Sequence, residues 1–570
     1  MTTQRRFPRL SSTLAIGLVP TFVLLLPVVQ AAERVDLLIT NGVVYDGSGK
    51  EPVRSDVAVR DGRVVGLGKT GDYTSSKTLD AKGLAVSPGF INMLSWAPET
   101  LLEDGRGMSD LRQGVTLEVF GEGDSFGPLT PAMKEELRKR QSDIVYNVTW
   151  TSLGEFLDTL VKRGVSPNVA SFLGAATIRE HEVGFANRPP SAAELSRMQD
   201  LVRAGMREGA LGIGSALIYA PGVYARTDEL IALTRAAGES GGGYISHMRS
   251  ESSGVLSAID ELVAIAKAAN VHAEVYHLKA AGEKNWPLMQ QAIAKIEAAR
   301  ASGVQVSANM YPYTAGATGL DAAMPPWVQE GGVDAWIARL QQPQIRARVL
   351  KEMRTPDESW ENLYLAAGSP ERVLLIGFKS DELKPLTGKS LAEVAKLRGK
   401  SPEDTAIDLV IEDHTRVSTA YFLMSEQNVK LGLSQPWVSI GSDEGAPAPE
   451  GVFLKSNPHP RAYGAFARFL GKYVREGRVA TLSDAIRRVT QLPAQNFKLK
   501  ERGCLAPRCH ADIVIFDPKT IGDVATFDDP QRYATGVAHV FVNGVQVIRD
   551  GEHTGAKPGQ VVRGPGWVPR

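Results

Sequence analysis

Cysteine is almost missing from this chain: two residues, Cys504 and Cys509, in 570. That excludes a disulfide-knotted scaffold and a four-thiolate structural zinc site. The two lie in GCLAPRCHAD, where a disulfide across Ala506-Pro507, two independent thiols and half of a metal site all stay open. Excess charge is missing too. Lys+Arg and Asp+Glu number 64 each, so no bulk field draws the protein to nucleic acid or to a membrane surface. There is no low-complexity tract, and 43% hydrophobic with 22% charged residues is an ordinary balance for a folded chain. The length allows one large domain and a satellite.

Long apolar runs are scarce, and the one at the N-terminus is interrupted. Arg5, Arg6 and Arg9 precede LAIGLVPTFVLLLPVV, which Pro20 and Pro27 break in a stretch already short for a membrane span. Val29-Gln30-Ala31 then offers small residues where a cleavage site needs them. Residues 1–31 therefore read as a signal peptide. The expectation is a periplasmic or secreted mature protein with no stable membrane span.

What the chain does have is a repeated design between Gly241 and Lys279. GGGYISHMRSE and HAEVYHLKAAG are both β-prone runs ending in a histidine, His247 and His277, with a cation two positions on. The segment between them has helical apolar spacing at Leu256, Ile259, Leu262, Val263 and Ile265. Strand, helix and strand make a βαβ unit, so both histidines belong at the same end of neighbouring parallel strands.

The same pattern extends across the middle of the chain. Candidate buried strands fall at 84–94, 114–123, 168–175, 210–217, 242–248, 272–279, 305–313 and 437–443. Helical segments lie between most of them; one opens with the capping box Ser191-x-x-Glu194. Eight such units predict an α/β fold, a (β/α)8 TIM-like barrel over 84–499, with an insertion at about 314–436. Both ends of the chain are β-rich instead. Residues 34–83 and 500–570 alternate apolar and polar positions around the turn signals Asn41-Gly42, Asp61-Gly62 and Asn543-Gly544. They predict a small composite β-sandwich domain.

In such a barrel the residues that end the strands share one cavity. They include Glu122, His247, His277, Tyr311, Tyr313 and Asp443. Two imidazoles and a carboxylate (His247, His277, Glu122) are a donor set for a catalytic zinc, which needs three protein ligands and an open position. The ion lowers the pKa of its water to about 7, and Asp443 is placed to take that water's proton. Blander readings exist. A strand-end histidine is often just a satisfied polar residue, Glu122 can cap a helix, and Asp443 in GSDEG can make an Asx turn. Tyr311 and Tyr313 can be packing, and His459 of HPRAYG is of secondary interest.

The motifs LITNGVVYDGSG, SPGFIN, LRQGVTLEVFGEG, YISHMRSE, YHLKAAG, MYPYTAG, SIGSDEGA and HPRAYGAFARFLGKYVRE resemble, in order, the amidohydrolase superfamily and within it the N-acyl-D-amino-acid deacylases. The resemblance spans almost the whole chain after residue 31. It implies a barrel with a composite β-sandwich, zinc, and hydrolysis of the amide of N-acyl-D-amino acids. It also implies metal roles for His247 and His277, an acid/base role for Asp443, and contacts to a substrate carboxylate from Lys279, Arg249 and Tyr311.

Two departures stand out. The family's first strand ends in His-x-His, one half of a two-metal site, but NMLSW here has no histidine. The family's GNCG loop is GEGD, which leaves Glu122 or Asp124 to replace the cysteine ligand. Asn92, Met93, Leu94, Ser95 and Trp96 offer little to a second ion, so one zinc per chain is expected. The alternatives are a hydrolase of cyclic amides or D-residue peptides, and a catalytically silent binding protein.

Overall fold

Eight parallel strands, each hydrogen-bonded to the next, form the centre of the molecule. They are β1 (Phe90–Asn92), β2 (Val115–Phe120), β3 (Asn168–Ser171, continued by Leu173–Gly174), β4 (Gly212–Ala216), β5 (Gly243–His247), β6 (Ala273–Val275), β7 (Val306–Met310) and β8 (Val438–Ile440). The computed structural model describes residues 1–12, 32–69 and 71–569. The apolar part of the expected signal peptide lies outside the described residues. Among those described, no helix is long and apolar enough to cross a membrane.

The barrel closes between β8 and β1. Ser442 N donates to Asn92 Oδ1 at 2.9 Å, Asp443 N to Leu94 O at 2.8 Å, and Ser95 and Glu444 form a parallel bridge. The strands are buried on both faces, as in VTLEVF, where every residue is buried. Helices cover the outside, and side chains of the strands fill the inside. The helix between the two histidine strands, Val255–Ala269, buries Val255, Ala258, Ile259, Leu262, Ile265 and Ala266. It ends at Asn270, whose left-handed φ of 52° is a usual helix stop. The capping box at Ser191 and Glu194 is formed, with both reciprocal hydrogen bonds.

A nine-stranded sheet joins the two ends of the chain. Ile513–Phe516 and Val537–Val542 from the C-terminal part continue into Ala85–Pro88, Leu37–Val44 and Val53–Arg60. Its core holds Ile39, Val44, Val57, Val86, Ile513, Ile515 and Phe541. The division of the chain differs in two places from the sequence pattern. The stretch LAVSPGFINML is two strands, one in each domain, and the switch falls at Gly89. A Cβ there would lie 2.0 Å from Thr116 Oγ1, so only glycine lets the chain cross so close to β2. The last residues also leave the small sheet. Val562 N, Gly564 N and Val568 N donate to Val169 O, Gly209 O and Arg207 O, strapping the tail over the N-terminal end of the barrel.

Cys504 and Cys509 are joined as a disulfide with Cα atoms 6.0 Å apart. The insertion after β7 carries a three-stranded antiparallel sheet of Ala315–Gly319, Ser418–Phe422 and Val373–Gly377, with helices around it. Its edges, at Gly316–Gly319, Ile376–Lys379 and His414–Ser418, reach over the C-terminal ends of the barrel strands and wall the cavity there.

Candidate active site

That cavity has a volume of about 730 Å³ and is lined by Glu122, His247, His277, Lys279, Tyr311 and Asp443. All six were picked from sequence. His247 is the last residue of β5, while Glu122 and His277 follow β2 and β6 by two residues. His277 and Asp443 adopt positive φ, 32° and 55°. Non-glycine residues rarely hold that conformation, and both of these line the cavity.

Glu122, His247 and His277 each offer one donor atom, and these lie within 4.8 Å of one another, all buried. Glu122 Oε1 is 3.0 Å from His247 Nδ1 and 2.8 Å from His277 Nε2. His247 Nε2 is buried with no hydrogen-bond partner; Glu251 Oε2 is 3.6 Å away. Two imidazoles, a carboxylate and an orphaned ring nitrogen fit a divalent cation such as zinc, and three ligands leave a position for reaction. Asp124 exposes its side chain to the cavity and does not join the histidines. Of the two acids in GEGD, it is Glu122 that meets them.

The electrostatics favour a cation at this point. Burial would raise Glu122, but His277 and His247 hold it well below the usual carboxylate range. Burial likewise opposes charge on Glu251, yet Lys279 and the two histidines keep it low. His277 is pushed up to about 9: burial and Lys279 act against its proton, and Glu251 and Glu122 outweigh them. A cation that binds the imidazoles displaces such protons.

Asp443 behaves differently. Burial raises it above the usual range, and Arg461 opposes the rise. Arg461 Nη1 lies 2.7 Å from Asp443 Oδ2, and the guanidinium stands over the Tyr311 ring, 4.4 Å from its centroid. Lys279 Nζ lies 5.7 Å from the centroid of the same ring and is hydrogen-bonded to Glu251 at 2.6 Å. Two cations thus flank Tyr311 at the cavity wall. His459 supports this arrangement from behind: its Nδ1 accepts from Arg461 N at 3.0 Å.

Arg249 is not brought to the site. It is paired with Glu261 at 2.9 Å and donates to the carbonyls of Val223 and Ala225, and it does not line the cavity. The carboxylate-binding role implied for it would need a place in the cavity wall; Arg461 lines the cavity and Arg249 does not. Tyr313 also points elsewhere, towards Pro460 O. Arg461, Glu251 and Trp96 were not picked from sequence. HPRAYG held a signal for Arg461, and Glu251 sits one helical turn's spacing after His247. Trp96 had no such signal.

Residues 173–548 match the amidohydrolase family, and residues 25–89 match the N-terminal domain of the urease alpha-subunit. A D-aminoacylase of Alcaligenes xylosoxydans xylosoxydans is 32% identical over 532 residues, 92% of this chain and 97% of the relative. An N-acyl-D-aspartate deacylase of the same organism is 30% identical over 94% and 96%. Among solved structures, the N-acyl-D-glutamate deacylase of Bordetella bronchiseptica holds zinc and a phosphonate mimic of the tetrahedral intermediate. It is 31% identical, with a TM-score of 0.77 over 93% of this chain and 100% of that one. A D-aminoacylase with a binuclear metal centre, described by one-metal activation and second-metal attenuation, is 30% identical with a TM-score of 0.77, over 93% of this chain and 100% of that one.

Proposed function

Because the chain belongs to the amidohydrolase family and is similar over nearly its full length to N-acyl-D-amino-acid deacylases, we propose that it is a metal-dependent hydrolase removing the acyl group from N-acyl-D-amino acids. The observation that carries this reading is the buried Glu122–His247–His277 cluster with Asp443 beside it in one cavity. A zinc ion held by those three residues would polarise the amide carbonyl and acidify water.

The rest of the reaction falls to the chain's own side chains. Asp443 takes a proton from the attacking water as its oxygen bonds to the carbonyl carbon. It then delivers that proton to the amide nitrogen, the C–N bond breaks, and a free amine and a carboxylic acid leave, the acid losing its remaining proton to solvent. Arg461 and Lys279, on either side of Tyr311, receive the substrate's own carboxylate and so orient the amide towards Asp443. Glu251 holds Lys279 in place.

One ion per chain is the finer reading. Asn92 is already engaged with Asp110, Glu118 and Ser442, and nothing charged follows it on β1. One-metal activation of the related D-aminoacylase supports it. Export is also part of the proposal. The basic-then-apolar N-terminus and the Cys504–Cys509 disulfide both suit an oxidising compartment.

Purified protein incubated with N-acetyl-D- and N-acetyl-L-amino acids, with and without chelator, tests the activity. Chelator-sensitive release of the D-amino acid is expected. A protein inert to every D-substrate in the presence of zinc would be a silent relative.

A further inference from the structure

Trp96 stands between the two carboxylates of the site. Its indole N–H has two acceptors, Glu122 Oε2 at 2.9 Å and Asp443 Oδ1 at 3.2 Å. The other oxygen of each acid is taken elsewhere. Glu122 Oε1 meets both imidazoles, and Asp443 Oδ2 meets Arg461. The single N–H therefore assigns a separate task to each carboxylate oxygen.

The backbone around it is pinned. Ser95 N donates to Val119 O at 3.0 Å, Trp96 N to Glu444 O at 2.9 Å, and Asp443 N to Leu94 O at 2.8 Å. This segment is thus laced to β2 on one side and to the exit of β8 on the other. Trp96 is 44% exposed and lines the cavity, outside the apolar clusters of the barrel. Core packing does not account for a large aromatic there.

Two anions that share one donor repel strongly in a buried site. The imidazoles offset Glu122 from one side and Arg461 offsets Asp443 from the other, so the gap between the acids needs only a neutral donor. An indole N–H supplies that and has no lone pair to offer a metal. Met93 and Leu94, shortly before Trp96, are apolar and buried.

We propose that Trp96 is a positioning residue of the hydrolytic site. Its N–H fixes Glu122 so that it faces the imidazoles through Oε1 alone, and holds Asp443 Oδ1 towards the reacting water and amide. It takes the place of a second cation between these acids. The proposal rests on the hydrolase reading above, but its test does not depend on turnover alone.

The variant is Trp96→Phe, which keeps an aromatic side chain and removes the indole N–H. The measurements are zinc affinity, kcat and KM for an N-acyl-D-amino acid, and quenching of tryptophan emission when cobalt(II) is added to metal-free protein. A melting curve checks that the variant is folded. Zinc affinity should fall about tenfold, as when a metal ligand loses its outer hydrogen bond. The kcat should fall about ten- to a hundredfold, with KM within about twofold. Most of the cobalt quench of the wild type should vanish. Unchanged zinc affinity and kcat would overturn the proposal, as would an undiminished quench. If the wild type hydrolyses no substrate, the functional reading fails, while zinc affinity and quenching still decide the role of Trp96. The quench also needs only the wild type and one folded variant.

Discussion

Glu118 and Glu122 lie four residues apart, on β2 and just past its end, and both are buried, yet their acidities are shifted in opposite directions. Glu118 is closed from solvent beside Asp110, and Asn92 Nδ2 lies 3.1 Å from an oxygen of each. Burial raises Glu118, and burial together with the charge of Glu118 raises Asp110 well above the carboxylate range. Glu122 is held down by two imidazoles. Burial is common to both; the neighbours differ. Burial with no cation beside it favours the protonated carboxyl, whereas His247 and His277 favour the anion that can hold a metal. One layer below a site built for charge, the barrel thus holds a pair of acids that no cation offsets.

The largest effect should come from removing a ligand on the charged side. His277→Ala should lose zinc and activity together, at least about a thousandfold in kcat/KM. Metal analysis after dialysis checks it, and full zinc occupancy in a folded variant would reassign the ligands.

Asp443→Asn separates proton transfer from metal binding. Zinc should remain while turnover falls by about two to four orders of magnitude. Since burial raises Asp443, the acid limb of the wild-type kcat/KM profile should lie above the ordinary aspartate range, because only the deprotonated form accepts the proton. A flat profile through that range would remove Asp443 from the base role.

Arg461→Lys keeps the charge and loses the planar fork. KM should rise about tenfold with a smaller change in kcat, as expected for a group that binds the substrate carboxylate. Steady-state kinetics on the D-substrate decides this. A kcat loss with unchanged KM would restrict Arg461 to orienting Asp443.

The smallest effect belongs to the buried pair Asp110 and Glu118. With Asp110 and Glu118 raised in the folded state, their stabilising protons are present at low pH. That contribution is lost as pH rises from the ordinary carboxylate range through the folded pKa values. Asp110→Asn should flatten this dependence, shift stability by about 1–2 kcal/mol and leave zinc affinity unchanged. Melting temperatures measured across pH give the comparison.

The parts legible in the sequence were those with local periodicity. The eight strands, the capping box at Ser191 and the strand-end positions of His247, His277 and Asp443 follow from patterns within about ten residues. Arg249 misled because a cation two residues past a strand-end histidine looks the same whether it turns inward like Lys279 or outward. Glu261, on the following helix, draws it away. Trp96 reaches across the closure of the barrel to Asp443, and Arg461 reaches Asp443 from a helix well beyond β8. Such pairings, hundreds of residues apart in the case of Trp96 and Asp443, leave no trace in local spacing. The division of LAVSPGFINML between two sheets was hidden for a similar reason, since both halves are apolar and β-prone.

Zinc titration into metal-free protein, with hydrolysis of an N-acyl-D-amino acid followed in the same sample, tests the central claim most directly. Activity should rise in proportion to added zinc and level off at one ion per chain. No hydrolysis at any zinc level, or a plateau only at two ions, would contradict the account.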